Sequence, residues 1–288
     1  MPNLTMLAND LEDQECLRQF DRDGYAVVRG VFSSPEVEEL RAAFDRVYAE
    51  ALKHPRSYRH GNTLFRVAED QRVGRIVRYV QWPSYFEPVL DRFRRDPRMY
   101  RIVSAFVGQN VKQIINQMHW KPPGAAAEFG YHQDIRFRRP RTAYRDPATS
   151  YVQTGIAVDA HREENGAMTV LPGSHRLNEL DFSGQQRVMD RAPLLQDLNI
   201  AGLGHSAQAV LELDPGDVAI WHLFLVHGSG ANRSSTDRRF YINGYVRAAN
   251  CDRGEWVFRH GRSVSLGAPV LVHYEDLYRR PEPHYVDD

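Results

Sequence analysis

The chain has 288 residues, with 37 basic against 37 acidic side chains and a formal charge of zero. A composition of 42% hydrophobic and 26% charged residues excludes a disordered chain, and the zero net charge argues against bulk electrostatic binding to nucleic acid or to an anionic membrane. No apolar run approaches the ~18 residues that span a bilayer. The first residues lack the basic and apolar regions of a secretory signal. Cys16 and Cys251 are too few and too far apart for a disulfide framework or a CxxC metal site. The expectation is a cytoplasmic protein with two free thiols, acting on a small molecule, with no partner protein evident.

The first hundred residues read as mainly helical. After the strand-like Tyr25-Ala26-Val27-Val28, Ser34 as N-cap with Pro35 at the first helical position predicts a helix. Val37, Leu40, Phe44, Val47 and Ala51 form its apolar face, and His54-Pro55 closes it. A second helix is predicted after Asp96-Pro97, through Tyr100, Val103 and Phe106-Val107 to Gly108. From Val111 the pattern turns to short β runs: Val111–Trp120, Tyr131–Phe137, Tyr151–Val158, Ala167–Leu171, Gln208–Leu213, Val218–Val226 and Phe240–Val246. Pro122-Pro123-Gly124, Glu164-Asn165-Gly166, Pro172-Gly173-Ser174 and Asp214-Pro215-Gly216-Asp217 separate them as turns.

Many short strands with such punctuation predict a sandwich or barrel, here a jelly roll. The fold class expected is mainly β with flanking helices around a double-stranded β-helix, cupin-like core. It forms a single domain over residues 1–288: a helical part to about 108, a jelly-roll core at about 109–250 and an irregular C-terminal tail. The stretches Arg138–Ser150 and Gly173–Ala207 are long for loops inside a compact domain, and read as lids, binding loops or disordered segments.

His132-Gln133-Asp134 carries the chemistry. On a strand, residues two apart share a face, so the imidazole and carboxylate converge on one ion. Chance alone supplies about one HxD in a chain with 12 histidines and 21 aspartates, so a third ligand has to separate signal from noise. His227 ends the apolar run Val218–Val226, precedes Gly228 and faces an interior cavity on this reading. Two histidines and one carboxylate are the facial set used for non-haem Fe(II), leaving three positions open. His222 lies an odd number of residues from His227 and reads as a packed or capped histidine. A second His-x-acid pair, His273-Tyr274-Glu275, has only His284 after it, in a Pro-rich tail, and is discarded. Arg238, eleven residues after His227 and next to the strand Phe240–Val246, comes beside the metal if that strand neighbours the one carrying His227. Its guanidinium fork suits a carboxylate. Alternation from a core-facing Phe240 places Arg238 inward and Arg239 outward.

In these pieces the chain resembles the phytanoyl-CoA dioxygenase family of Fe(II)/2-oxoglutarate oxygenases. The matching series runs from Gln117-Met118-His119-Trp120-Lys121-Pro122-Pro123-Gly124 through His132-Gln133-Asp134. It continues with Glu164-Asn165-Gly166-Ala167, Leu171-Pro172-Gly173-Ser174-His175 and Asp214-Pro215-Gly216-Asp217, and ends with Val226-His227-Gly228-Ser229 and Arg238. Asp23-Gly24-Tyr25, Val27-Val28 and Gly30-Val31-Phe32 are in the same style, so the ordered set covers roughly residues 15–250.

The resemblance implies that His132, Asp134 and His227 hold Fe(II), that Arg238 pairs with the distal carboxylate of 2-oxoglutarate, and that Gln117 and Ser229 also line the cosubstrate pocket. Relatives often carry a tryptophan just before the Glu-Asn-Gly turn, where this chain has Gly155 or its neighbour Thr154, so Thr154 is taken as a cosubstrate-side residue. The activity implied is hydroxylation of an unactivated C–H with O2, releasing succinate and CO2, with no catalytic residue beyond the metal ligands.

The substrate signal is thinner. Arg136 and Arg138 continue the alternation of His132 and Asp134, and Arg139, Arg141 and Arg145 follow. An acidic metabolite suits them, with a solvated charged loop as an equal alternative. Tyr131, Phe137, Tyr144 and Tyr151 read as apolar pocket wall or core. Pro172-Gly173-Ser174-His175 reads as a structural turn, so His175 is not taken as a ligand. Two rival classes stand beside the oxygenase: a Zn-type hydrolase or isomerase on the same three ligands, and a ligand-binding module. Neither accounts for Arg238 and the ordered motifs together.

Overall fold

The computed structural model describes residues 6–182, 188–189, 191–267 and 282–286. Helix α1 (Met6–Asp23) leads into strand β1 (Tyr25–Val28), and α2 (Ser34–Ala51) follows. The N-cap of α2 is Ser33, one residue earlier than predicted, because Glu36 reaches back to accept from the Ser33 amide (2.8 Å). Val37, Leu40, Phe44, Val47 and Ala51 are all buried, as their spacing requires. Helices α3 (Pro88–Arg94) and α4 (Pro97–Val107) complete the layer. Asp96 caps α4 by accepting from the Arg98 amide, and Gly108 ends it at a φ of 81°.

The expectation of a mainly helical first hundred residues is corrected by three strands: β2 (Tyr58–His60), β3 (Thr63–Asp70) and β4 (Gly74–Gln81). Their signal is masked because the face turned from the helices is polar. Tyr79 pairs across with Arg66 and with His119, and Gln81 with Gln117. A bulge between the Arg66–Tyr79 and Val67–Val77 pairs puts Arg78 at the register shift.

The remaining strands are β5 (Val111–Lys121), β6 (Phe129–His132), β7 (Tyr151–Ala157), β8 (Met168–Val170), β9 (Ala209–Val210), β10 (Val218–Trp221), β11 (His227–Ser229), β12 (Arg238–Arg247), β13 (Glu255–Arg259), β14 (Arg262–Ser263) and β15 (His284–Tyr285). The larger sheet runs β1-β10-β7-β12-β5-β4-β3-β2-β15, with β13 on β5 and β14 on β13; the smaller runs β6-β11-β8-β9. One face of the larger sheet packs on the helices: Phe44, Leu90 and Val103 share a core with Met118, Ile156, Ile220 and Tyr241. Its other face meets the smaller sheet, where Ala157, Ala219, Trp221 and Phe240 pack with Met168 and Val170. This is the expected double-stranded β-helix with flanking helices.

Two strand predictions are corrected in ways that matter for the site. Strand β6 stops at His132, and Asp134–Phe137 form a 3-10 turn held by the Ile135 amide donating to Leu223 O (3.2 Å). The run Val218–Val226 is strand only to Trp221, where β10 ends, and the next strand, β11 from His227, belongs to the other sheet. An apolar run buried on both faces hides such a break. His222 makes the crossing: its Nδ1 accepts from the Phe224 amide (3.0 Å) and its Nε2 contacts Ala148 O (2.8 Å). His222 is therefore capped as predicted, although the parity argument that led there does not apply. Gln208–Leu213 shortens to β9. His273-Tyr274-Glu275 lies outside the described residues.

The Arg98 guanidinium, which also bonds Asp96, ties α4 to α2 through Glu36 (Nη2–Oε1 2.6 Å) and with the Ser33 amide holds the Glu36 carboxyl down at about 2. Because this lies below the ordinary 4.5, the contact stabilises the fold above that pH and is lost as pH falls toward 2. Urea unfolding from pH 6 to pH 2.5 should show Glu36→Gln flattening the acid limb by at most about 1 kcal/mol, the screening of a partly exposed pair setting that ceiling.

Candidate active site

His132 and His227 face each other as a register pair of β6 and β11, ring centroids 4.3 Å apart. Each Nδ1 bonds a carbonyl of its own segment, His132 to Gly130 O (2.8 Å) and His227 to Leu225 O (3.0 Å). A carbonyl only accepts, so both Nδ1 atoms carry the proton and both Nε2 lone pairs point into the site. Asp134 Oδ1 lies 3.7 Å from His132 Nε2 and 3.9 Å from His227 Nε2. The three ligand atoms lie within 4.8 Å of one another, and no other such group of His, Cys, Asp or Glu occurs among the described residues. All three residues are buried. Burial pushes His227 down to about 4, so it is neutral at pH 7. Burial alone would raise the Asp134 carboxyl, but His227, His132 and Arg138 hold it below the usual carboxylate range. Two imidazole nitrogens and one carboxylate oxygen form the donor set of a non-haem Fe(II) site, and the geometry fits that ion.

His132 and Asp134 converge although they do not share a strand. The 3-10 turn after β6 brings the carboxylate back toward the imidazole. Trp221, which sequence reasoning missed, donates its Nε1–H to Asp134 Oδ2 (3.0 Å).

Beside this group lies a layer of buried cations. Arg238 begins β12 and pairs in register with Lys121 on β5. Arg238 is 4% exposed; its Nη2 donates to Gly166 O (2.9 Å), while its Nε is buried with no hydrogen-bond partner. Lys121 donates to Ser229 Oγ (2.7 Å) and to Gly230 O. The bulged Arg78 donates to Glu128 O (3.0 Å). Burial pulls Lys121 well below its usual range, and Arg238 and Arg78 pull it further. Burial and Arg78 bring Arg238 to about 10, leaving it charged at pH 7. Cations gathered in a buried place, one with an orphaned donor, fit an anionic ligand.

The Glu-Asn-Gly turn explains part of this arrangement. Asn165 closes it onto Ala160 O (2.7 Å), and a Cβ at Gly166 would meet Gly230 O at 2.4 Å. Only glycine allows the approach that offers its carbonyl to Arg238. Sequence reasoning missed Lys121 as a residue of the site. Its place at the end of β5, four residues after Gln117, was the available signal.

Gln117 shares the Arg238 face, where its Oε1 contacts His119 Nε2 (2.9 Å). Burial and the cations Arg238, Arg78 and Lys121 push His119 down to about 3. Arg239 turns the other way, as alternation predicts, to pair with Asp159 (Nε–Oδ2 2.7 Å) and Asp45. Thr154 is corrected. It lies on the helix side of the sheet, fully buried, with its hydroxyl donating to Asn243 O (3.1 Å). The site-facing neighbour is Gly155, and the space above it is filled by the ring of Phe240, which a Cβ there would meet at 2.0 Å.

Tyr131 is corrected too. It packs in an apolar cluster with Leu171, Phe182 and Val226 on the outer side of the smaller sheet, its hydroxyl on Gln208 (2.6 Å). Of the five arginines, Arg138 is buried against Tyr151 (Nη2–OH 3.0 Å), Arg141 pairs with Glu179 and Arg145 with Asp252. Arg136 is half-buried beside Phe137 (5.8 Å), whose ring is 5.5 Å from that of His132. His175 contacts Asp21 O (3.1 Å), which keeps it in the structural turn predicted for it.

The family model described as phytanoyl-CoA dioxygenase matches residues 20–240. A probable alpha-ketoglutarate-dependent hypophosphite dioxygenase from Stutzerimonas stutzeri is 25% identical over 232 residues, covering 80% of this chain and 77% of that protein. The peroxisomal phytanoyl-CoA dioxygenase of Rattus norvegicus is 24% identical over 259 residues, covering 86% and 70%. Among solved structures, EctD from S. alaskensis with 2-oxoglutarate and 5-hydroxyectoine superposes with a TM-score of 0.61 at 22% identity, covering 90% of this chain and 85% of that one. The carbocyclase SnoK from nogalamycin biosynthesis gives 0.60 at 22% identity, covering 86% and 87%. These two likenesses bear on the fold.

Substituting Gly155 with Ala should cost about 1–3 kcal/mol, since the Phe240 ring has to move. Urea unfolding checks this, and Phe240→Leu in the same chain should recover part of the loss.

Proposed function

The chain belongs to the phytanoyl-CoA dioxygenase family of Fe(II)/2-oxoglutarate-dependent oxygenases, and from that premise we propose that it hydroxylates an unactivated C–H of a small acidic metabolite. His132 Nε2, Asp134 Oδ1 and His227 Nε2 are the metal ligands, and Arg238 with Lys121 takes the distal carboxylate of 2-oxoglutarate. The single observation that carries these assignments is the convergence of the three ligand atoms beside a buried cationic layer. When bound, iron, 2-oxoglutarate and O2 supply the oxidising chemistry, with succinate and CO2 as co-products.

The chain's own residues bind, orient and exclude water. Gly130 O and Leu225 O set the imidazole tautomers, so the Nε2 atoms coordinate without losing a proton. Arg238 offers its unused Nε to an acceptor. Lys121, anchored by Ser229, stands on the same face. Gln117 and the neutral His119 add polar atoms along that face.

Arg136, half-buried beside Phe137, whose ring is 5.5 Å from that of His132, supports an acidic substrate. We read residues 1–288 as one dioxygenase domain, supported by the single core shared between helices and larger sheet. Among the described residues no helix is long and apolar enough to cross a membrane. Cys16 and Cys251, neither of them in a disulfide, fit a cytoplasmic setting.

Anaerobic protein with Fe(II) and 2-oxoglutarate should show the weak visible charge-transfer band of the chelate, and His227→Ala should abolish it. Iron binding without a band would refute the cosubstrate assignment. Arg238→Met should weaken 2-oxoglutarate binding by about 3 kcal/mol, on the order of a hundred-fold, with Fe(II) affinity unchanged. In a thermal-shift series, 2-oxoglutarate should raise the melting temperature of the Fe(II)-loaded wild type and leave that of Arg238→Met in place.

A further inference from the structure

We propose that Trp221 is a positioning residue for the metal carboxylate, its indole N–H occupying one oxygen of Asp134 so that the other alone faces the two histidines. The inference rests on His132, Asp134 and His227 being the metal ligands. Nε1 of Trp221 donates to Oδ2 at 3.0 Å, whereas Oδ1 is the atom 3.7 and 3.9 Å from the two Nε2 atoms. Indole nitrogen is a donor only, so the contact is made with the carboxylate as acceptor and marks one of its oxygens.

An untied carboxylate swings about its Cβ–Cγ bond and presents both oxygens, and a second bound oxygen would take one of the three positions that the facial set leaves open for cosubstrate and O2. Tying Oδ2 keeps Asp134 a one-oxygen ligand.

The fold is built to hold this indole still. Trp221 is the last residue of β10 and reaches from the larger sheet across to the start of the 3-10 turn beyond β6, so the hydrogen bond joins the two sheets at the metal ligand. It is 1% exposed, stacked on Phe240 (6.0 Å, 17°) and edge-on to His227 (6.1 Å, 61°). Phe240 in turn sits in the hollow above Gly155, with the Arg238 guanidinium 6.0 Å from its ring. One aromatic stack thus runs from the carboxylate that binds the metal to the arginine assigned to the cosubstrate.

The test is Trp221→Phe, which keeps a buried ring and removes the N–H. Co(II) and Fe(II) titrations under anaerobic conditions should show metal affinity falling about ten- to a hundred-fold, the usual range for losing an outer partner of a metal ligand. The Fe(II)–2-oxoglutarate band should shift or weaken at saturating metal. Metal affinity within two-fold of wild type and an unmoved band would overturn the proposal, whatever happens to the melting temperature.

Should Trp221→Phe not fold, wild-type protein with 15N-labelled indoles decides. The chain has four tryptophans, and on Zn(II) addition the signal of the indole bonded to the metal carboxylate should move; four unmoved signals would overturn the proposal. If the wild type binds none of these ions, the ligand assignment itself fails and takes the inference with it. Binding by wild type with an indifferent Trp221→Phe defeats the inference alone.

Discussion

The pairing of His227 with His132 across two short antiparallel strands is the constraint on which the rest depends. Side chains alternate along a strand, so a slip of one residue would turn an imidazole away from the site. The register is held from the other face. Tyr131 and Val226, the residues just before the two histidines, pack with Leu171, Phe182, Leu198 and Leu203, and a slipped register would put a histidine into that apolar cluster. The outer face of the smaller sheet thereby secures the geometry of its inner face. Tyr131 contributes to the site through this packing, which explains why it lies next to a ligand without facing it.

The second organising feature is charge. Arg238, Lys121 and Arg78 are buried together, and they donate to carbonyls and a hydroxyl: Gly166 O, Ser229 Oγ, Gly230 O and Glu128 O. Such dipoles offset part of the desolvation of a cation and leave room for an anion to offset more. Each cation is delivered by a different local device: Arg238 by strand alternation, Lys121 by the end of the longest strand, Arg78 by a bulge. Because these devices sit in the larger sheet and the histidines in the smaller one, the proposed sites for metal and dianion face each other across the space between the sheets. Trp221 and Phe240 fill that space on the side where Gly155 leaves a hollow.

Local patterns carried the helices, the strand-rich core and the three candidate ligands. Val37 to Ala51 had one way to bury their apolar stripe, and Asp96-Pro97 with Gly108 bracketed α4. Parity from Phe240 correctly separated Arg238 from Arg239, because period two survives in a long central strand. Reading from the sequence misplaced Thr154, which was carried over from the resemblance, since deciding which of two buried neighbours faces the site needs the sheet's own orientation. It also missed β2 to β4, whose site-facing residues are polar, and it read β10 and β11 as one strand, because burial on both sides erases alternation where the chain changes sheet.

By itself, then, the sequence determined which residue types could bind a metal and an acid, and in what order along the chain they come, because those are properties of side chains and local spacing. Tertiary structure decided which of them meet. His132 and Asp134 converge through a 3-10 turn instead of a strand, Arg78 joins from a hairpin some fifty residues away, and Trp221 reaches Asp134 across the gap between the sheets. Such contacts depend on register, bulges and sheet pairing between distant segments, which no local pattern encodes.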